Sequence, residues 1–136
     1  MTFVMLHVLE AVYTLHVFGY TNTWMDEKLM EKPSIKELKL LHANICQALG
    51  DPKRILILYA LDERPRHVSA LAKDLGFPQP TVSRHLRVLR QRALVSTERN
   101  GPAVVYRLAD SRVVDILDNM RLVMRGALER QSSMLM

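Results

Sequence analysis

The 136-residue sequence predicts a mostly α-helical domain that carries one small β-hairpin. Three observations predict it. Apolar residues recur at three- and four-residue steps in five stretches between residues 34 and 130, the pattern of helices with one buried face. Helix-breaking chemistry separates the first four of these at Gly50-Asp51-Pro52, Asp62–Arg66 and Gly76-Phe77-Pro78. Only residues 94–108 change to a period of two, around an Asn100-Gly101 pair, which is a hairpin signal.

Apolar residues make up 49% of the chain and charged residues 24%, a globular balance for one domain able to bury a core without disulfides. The single cysteine, Cys46, excludes an intrachain disulfide framework and fits a reducing compartment, so the cytoplasm is expected. Residues 1–33 read as an N-terminal extension. Its first 24 residues are apolar and aromatic, with Glu10 as their only charged side chain. That stretch lacks the basic start of a secretory signal, and Glu10 and two histidines spoil a membrane span. Met25 opens a polar stretch, MDEKLMEKPS, that resembles an ordinary protein start; residues 1–24 then come from a start codon placed too early. The folded domain is expected over 34–131, with 132–136 as a tail.

Ser34 and Glu37 form a capping-box pattern ahead of Ile35, Leu38, Leu41, Ile45 and Ala48-Leu49, so a helix is expected to about Leu49. Asp51 as cap and Pro52 in the first turn begin the next helix. In it, Ile55, Leu56, Leu58, Tyr59 and Leu61 are expected to be the buried set. Val68, Leu71, Ala72 and Leu75 give a short third helix that Gly76 can end in the left-handed conformation. Pro80, where a helix start tolerates a missing N–H, opens a fourth. Two short helices around a Gly-containing turn make a helix-turn-helix.

On the fourth helix, steps of about 100° place Val82, Leu86, Leu89 and Ala93 on one stripe and Arg84, Arg87 and Gln91 opposite, flanked by Thr81 and Ser83. Arginine can fork onto guanine or phosphate and hydroxyls bond either, so this face suits a DNA groove. A solvated basic helix is the plainer alternative. Charge distribution weighs against it. The chain carries a net +5, and Gln79–Arg107 alone holds six arginines against one acid, Glu98, so the remainder nets zero. Basicity confined to one supersecondary unit is the footprint of a nucleic-acid binder. A hairpin directly after such a helix is a wing, from which Arg99 and Arg107 could reach phosphates or a minor groove. The fold class is therefore a winged helix-turn-helix.

A last helix runs from Asp110 to about Arg130 with a broad apolar stripe over Val113, Ile116-Leu117, Met120, Val123-Met124 and Ala127-Leu128. This stripe and that of the first helix are surplus to one core. Pairing with a second copy is expected, through Leu38, Leu41, Ile45, Leu117, Met120 and Met124, because helix-turn-helix proteins meet two-fold sites as dimers.

ALGDPKRILIL (48–58), LAKDLGFPQPTVSRHLRVLRQRALV (71–95) and RNGPAVVYRL (99–108), in that order, resemble the ArsR/SmtB family of bacterial winged-helix repressors over about Ile35–Glu129. The resemblance implies a homodimer joined through the first and last helices, sitting on operator DNA and released by a metal or other inducer. It places Gln79, Thr81, Ser83, Arg84 and Arg87 where the family reads DNA, and Arg99, Asn100 and Gly101 at the wing tip. The sensing residues depart from the family's pattern. A cysteine pair is replaced by His67-Val68-Ser69-Ala70, and no histidine follows His85, although Asp110, Asp115 and Asp118 occur. The three aspartates read as charges favoured near a helix N-terminus.

His42 and Cys46 lie four apart on one face of the first helix. Cys46 reads first as a packing residue. Its alternatives are a redox thiol across the dimer, or with His42 a metal ligand. His85 reads as a packing or phosphate contact. No catalytic pattern occurs: Ser83 and His85 point apart on a helix, and no phosphate loop or metalloprotease motif is present. The expected activity is that of a DNA-binding transcriptional regulator, a repressor released by an inducer, with no cofactor and no membrane partner. The alternative from another class is a winged-helix module that binds a protein and reads no DNA.

Overall fold

The computed structural model describes residues 32–135; residues 1–24 and the start at Met25 lie outside the described residues. The chain divides between Lys39 and Leu40 into two units, and of the first Lys32–Lys39 are described. Helix α1 spans Ile35–Leu41, continues as a π-helical turn over His42–Cys46 and closes as α2, Gln47–Leu49. The serine half of the capping box is formed: Ser34 Oγ accepts the Glu37 N–H at 3.2 Å.

Asp51 caps α3 (Pro52–Glu63) as expected, accepting the Lys53 N–H at 2.8 Å with Pro52 in the first turn. From α3, Arg54 reaches back to donate to the Ala48 and Gln47 carbonyls at the end of α2, the second of which also accepts the Gly50 N–H at 3.3 Å. The buried set of α3 is Ile57, Leu58, Ala60 and Leu61. Of the expected residues, Leu56 faces outward and Ile55 and Tyr59 are half-buried. The run ILILYAL is apolar all round, so no periodicity marks its inward side.

Helix α4 (Val68–Leu75) ends at Gly76, whose φ of +68° is the left-handed value that glycine takes without strain. Helix α5 spans Gln79–Gln91 and buries Val82, His85, Leu86 and Leu89. The expected stripe fails at its last member. Ala93 is exposed and outside the helix, with φ +56°. The Leu94 N–H bonds the Leu89 carbonyl and the Ala93 N–H the Arg90 carbonyl, both at 3.0 Å, which is the Schellman ending with alanine in glycine's place. An L-residue pays for that conformation, so Ala93→Gly is expected to raise stability by about 1 kcal/mol in urea unfolding.

Strands β1 (Val95–Asn100) and β2 (Ala103–Leu108) pair antiparallel, from Val95 opposite Leu108 to Asn100 opposite Ala103. The loop is therefore Gly101-Pro102, one residue later than an Asn100-Gly101 turn. Gly101 has φ +65°, and proline next fixes φ near −65°, the sign pattern of a type II′ turn. A single bridge between Arg66 and Tyr106 adds a third, one-residue rung.

Helix α6 (Arg112–Met134) starts beside Asp110, which accepts the Arg112 N–H at 2.9 Å and pairs with its guanidinium. Those bonds hold the Asp110 carboxyl down at about 2. Asp118 is not an N-terminal charge: it accepts the Tyr59 hydroxyl at 2.6 Å and Arg121 at 3.0 Å, fastening α6 to α3. Val113, Val114 and Leu117 enter the core with Ile57, Leu58, Leu71, Val82, Leu86 and Leu89. Leu117 is thus withdrawn from the expected dimer face, being 3% exposed, and Ile45 is half-buried against the same core. The first turns of α6 are consumed by the protomer, and only its later turns present an apolar surface. Ile116, Met120, Leu122, Val123, Met124 and Leu128 are each half or more exposed. No helix among the described residues is long and apolar enough to cross a membrane.

Candidate nucleic-acid interface

The amphipathic sequence of α5 decides which side chains reach solvent. Val82, Leu86 and Leu89 hold one side in the core, and Gln79, Pro80, Arg84, Arg87 and Gln91 stand exposed on the other. Thr81 and Ser83 are half-buried at its flanks. Arg99, Asn100 and Gly101 are exposed at the end of the hairpin. Ion pairs among the described residues engage Arg54, Arg66, Arg107, Arg112 and Arg121. Arg84, Arg87 and Arg99 have no carboxylate partner there, so their donors are available to an external anion. Arg107 differs: its Nε donates to Glu98 across the hairpin at 2.9 Å, so using it on a phosphate means giving up that bond.

His85 packs beneath this face at 8% exposure, which settles it as a packing residue of the protomer. Its Nδ1 lies 4.0 Å from the Asp51 carboxylate that caps α3. Burial pulls the imidazole pKa below its ordinary value; Asp51 opposes this, while Arg54, Arg84 and Lys53 add to it. Partial burial raises the Asp51 carboxyl, but the Lys53 N–H, His85 and Arg54 together outweigh it, and the net shift is downward. The fold therefore favours neutral His85 over a charged one. That contribution to stability is complete above about pH 6.5 and is lost as pH falls below it, by up to about 1.4 kcal/mol per pH unit. Urea midpoints at pH 7.5 and 5.5 should diverge more for the wild type than for His85→Gln. The Asp51 contribution fades only below its ordinary value of 3.8, a separate window.

Cys46 is exposed, not packed, and His42 is exposed beside it in the π-helical turn. Ile45 of that turn and Ala48 of α2 take the inward positions, leaving Cys46 at their flank. Among the described residues no three His, Cys, Asp or Glu side chains come together as a ligand set.

A second group carries no sequence signal. Arg66, in the α3–α4 connection, is buried and pairs with Glu63 and Asp74. His67 Nδ1 meets the Val104 carbonyl of β2 at 3.0 Å. Neither residue belongs to a motif, and their partners are joined only by the tertiary fold.

A family model described as "Bacterial regulatory protein, arsR family" matches residues 51–97, from the cap of α3 into β1. The crystal structure of Rv0081 from Mycobacterium tuberculosis is 32% identical, covers 74% of this chain and 98% of its own, and superposes with a TM-score of 0.61. Mb0332 from Mycobacterium bovis, described as a homodimeric winged helix-turn-helix DNA-binding domain and a possible ArsR-family transcriptional regulator, is 30% identical. That match covers 74% of this chain and 95% of the fragment, with a TM-score of 0.60. The chain belongs to the ArsR family.

Among its ArsR relatives, the HTH-type transcriptional regulator NmtR from M. tuberculosis is 43% identical over 76 residues, 56% of this chain. The match spans 63% of NmtR, so the chain covers a little under two thirds of that relative's length. These names describe regulators and no enzyme, in line with the lack of a catalytic pattern in the sequence. The winged helix-turn-helix expected from the residues is the fold described for Mb0332.

Proposed function

We propose that this ArsR-family chain is a dimeric, sequence-specific DNA-binding repressor that acts in the cytoplasm and leaves its operator when an inducer binds. One observation carries the reading: an exposed face of α5 whose two arginines, Arg84 and Arg87, have no carboxylate partner among the described residues, set on a seam of fully buried Val82, Leu86 and Leu89. On this reading Gln79, Thr81, Ser83, Arg84 and Arg87 enter a major groove. Arg99, Asn100 and Gly101 meet the backbone beside it, with Arg107 a reserve cation. The exposed stripe of α6 around Met120 and Met124, with Leu41 at the end of α1, supports a two-fold partner, which sets half-sites about 34 Å apart. An inducer that binds better to a dimer with mismatched spacing lowers DNA affinity by linkage.

The deciding experiment titrates the protein with a palindromic duplex from its own promoter at several salt concentrations, with sedimentation to count chains per duplex. Two chains per duplex and a log–log slope of about −0.9 for each phosphate neutralised are expected. A flat salt response sinks the reading and favours the protein-binding module.

A further inference from the structure

We propose that Arg66 is a positioning residue for the wing, fixing where the hairpin stands relative to the helix-turn-helix; the inference rests on the DNA-binding reading above. Arg66 lies in the connection between α3 and α4, outside every motif, yet it touches three elements. Its backbone makes both bonds of a strand bridge with Tyr106 of β2, Arg66 N–H to the Tyr106 carbonyl at 3.1 Å and Tyr106 N–H to the Arg66 carbonyl at 2.8 Å. The guanidinium turns the other way and pairs with Glu63 at the end of α3 and Asp74 on α4. The adjoining His67, as its Nδ1–H tautomer, donates to Val104, two residues before Tyr106 on the same strand.

A guanidinium at 8% exposure is costly to desolvate, and Nε finds no partner. An apolar side chain could fill the volume without that penalty. What it could not do is fix the connection against carboxylates on both neighbouring helices while the same residue's backbone holds β2. Arg66 thus converts the positions of α3 and α4 into a position for the wing, and Arg99 at its far end is the side chain that benefits.

The test is a double-mutant cycle on operator binding with Arg66→Met, Arg99→Ala and the pair, in the full chain across a salt series. Arg66→Met should weaken binding about tenfold, within the coupling seen inside one side-chain network. It should also make the salt slope shallower by as much as Arg99→Ala does, and add nothing in the Arg99→Ala background. Asp74→Asn runs the same cycle with the buried arginine retained, should Arg66→Met fold poorly. Losses that multiply in the double variant, an unchanged slope, or an Arg99→Ala without effect on binding would each overturn the proposal. A wild type with no salt-dependent binding instead removes the DNA reading beneath it.

Discussion

Arg84→Ala is expected to weaken operator binding by about 1–3 kcal/mol, roughly tenfold to a hundredfold, and to relax preference at one base pair. Arg84 is exposed on the face of α5 opposite the buried Leu86 and Leu89, and no carboxylate among the described residues engages it. A guanidinium held that way can fork onto the O6 and N7 of a guanine, and alanine leaves both acceptors unmatched. The measurement is a titration of the variant against the operator and against duplexes altered one base pair at a time. It belongs above pH 7.5, because Arg84 is also one of the cations that keep His85 neutral, and its removal eases protonation of that ring. Unchanged affinity would show that α5 does not enter the groove in this register.

Leu86→Ala is expected to cost about 2–5 kcal/mol of folding stability, enough to leave a marginal domain largely unfolded. Leu86 is fully buried, and its neighbours in the core come from α3, α4, α5 and α6. The cavity left by truncation cannot close without moving the helix that carries Arg84 and Arg87. Leu86→Met keeps most of the volume and should lose less than about 1.5 kcal/mol. Urea unfolding of all three proteins at one fixed concentration separates these outcomes, since the stability of the proposed dimer would depend on concentration. A loss below about 1 kcal/mol for Leu86→Ala would mean that the seam beneath α5 is not what holds it.

What the sequence made legible was local chemistry. Asp51-Pro52, Gly76 and Pro80 each act within a few residues of themselves, and the helix boundaries they imply are those observed. The strong amphipathicity of α5 likewise showed which arginines would face out. Legibility failed where neighbours in space decide. The uniformly apolar ILILYAL could not reveal that Ile57 faces inward and Leu56 outward. Leu117 continues the stripe of α6 but is claimed by the protomer's own core. Ala93 offered no hint of a left-handed ending, because its bonds to the preceding helix impose a conformation alanine does not choose. Arg66 was invisible for a related reason: Glu63 is near in sequence, but Asp74 and Tyr106 meet it only after folding.

The loop of the hairpin has a consequence for how such a protein could acquire new targets. Its apex is Gly101-Pro102, one residue without a side chain and one whose ring has no polar atom, so no side chain at the summit can hydrogen-bond a base edge. On the proposed DNA-binding reading, such an arm would grip more than choose. Discrimination between operators would then be left to a few positions on a single helix turn or two, and a descendant could be redirected to a different promoter by exchanging those alone, keeping its grip on the sugar-phosphate rails intact.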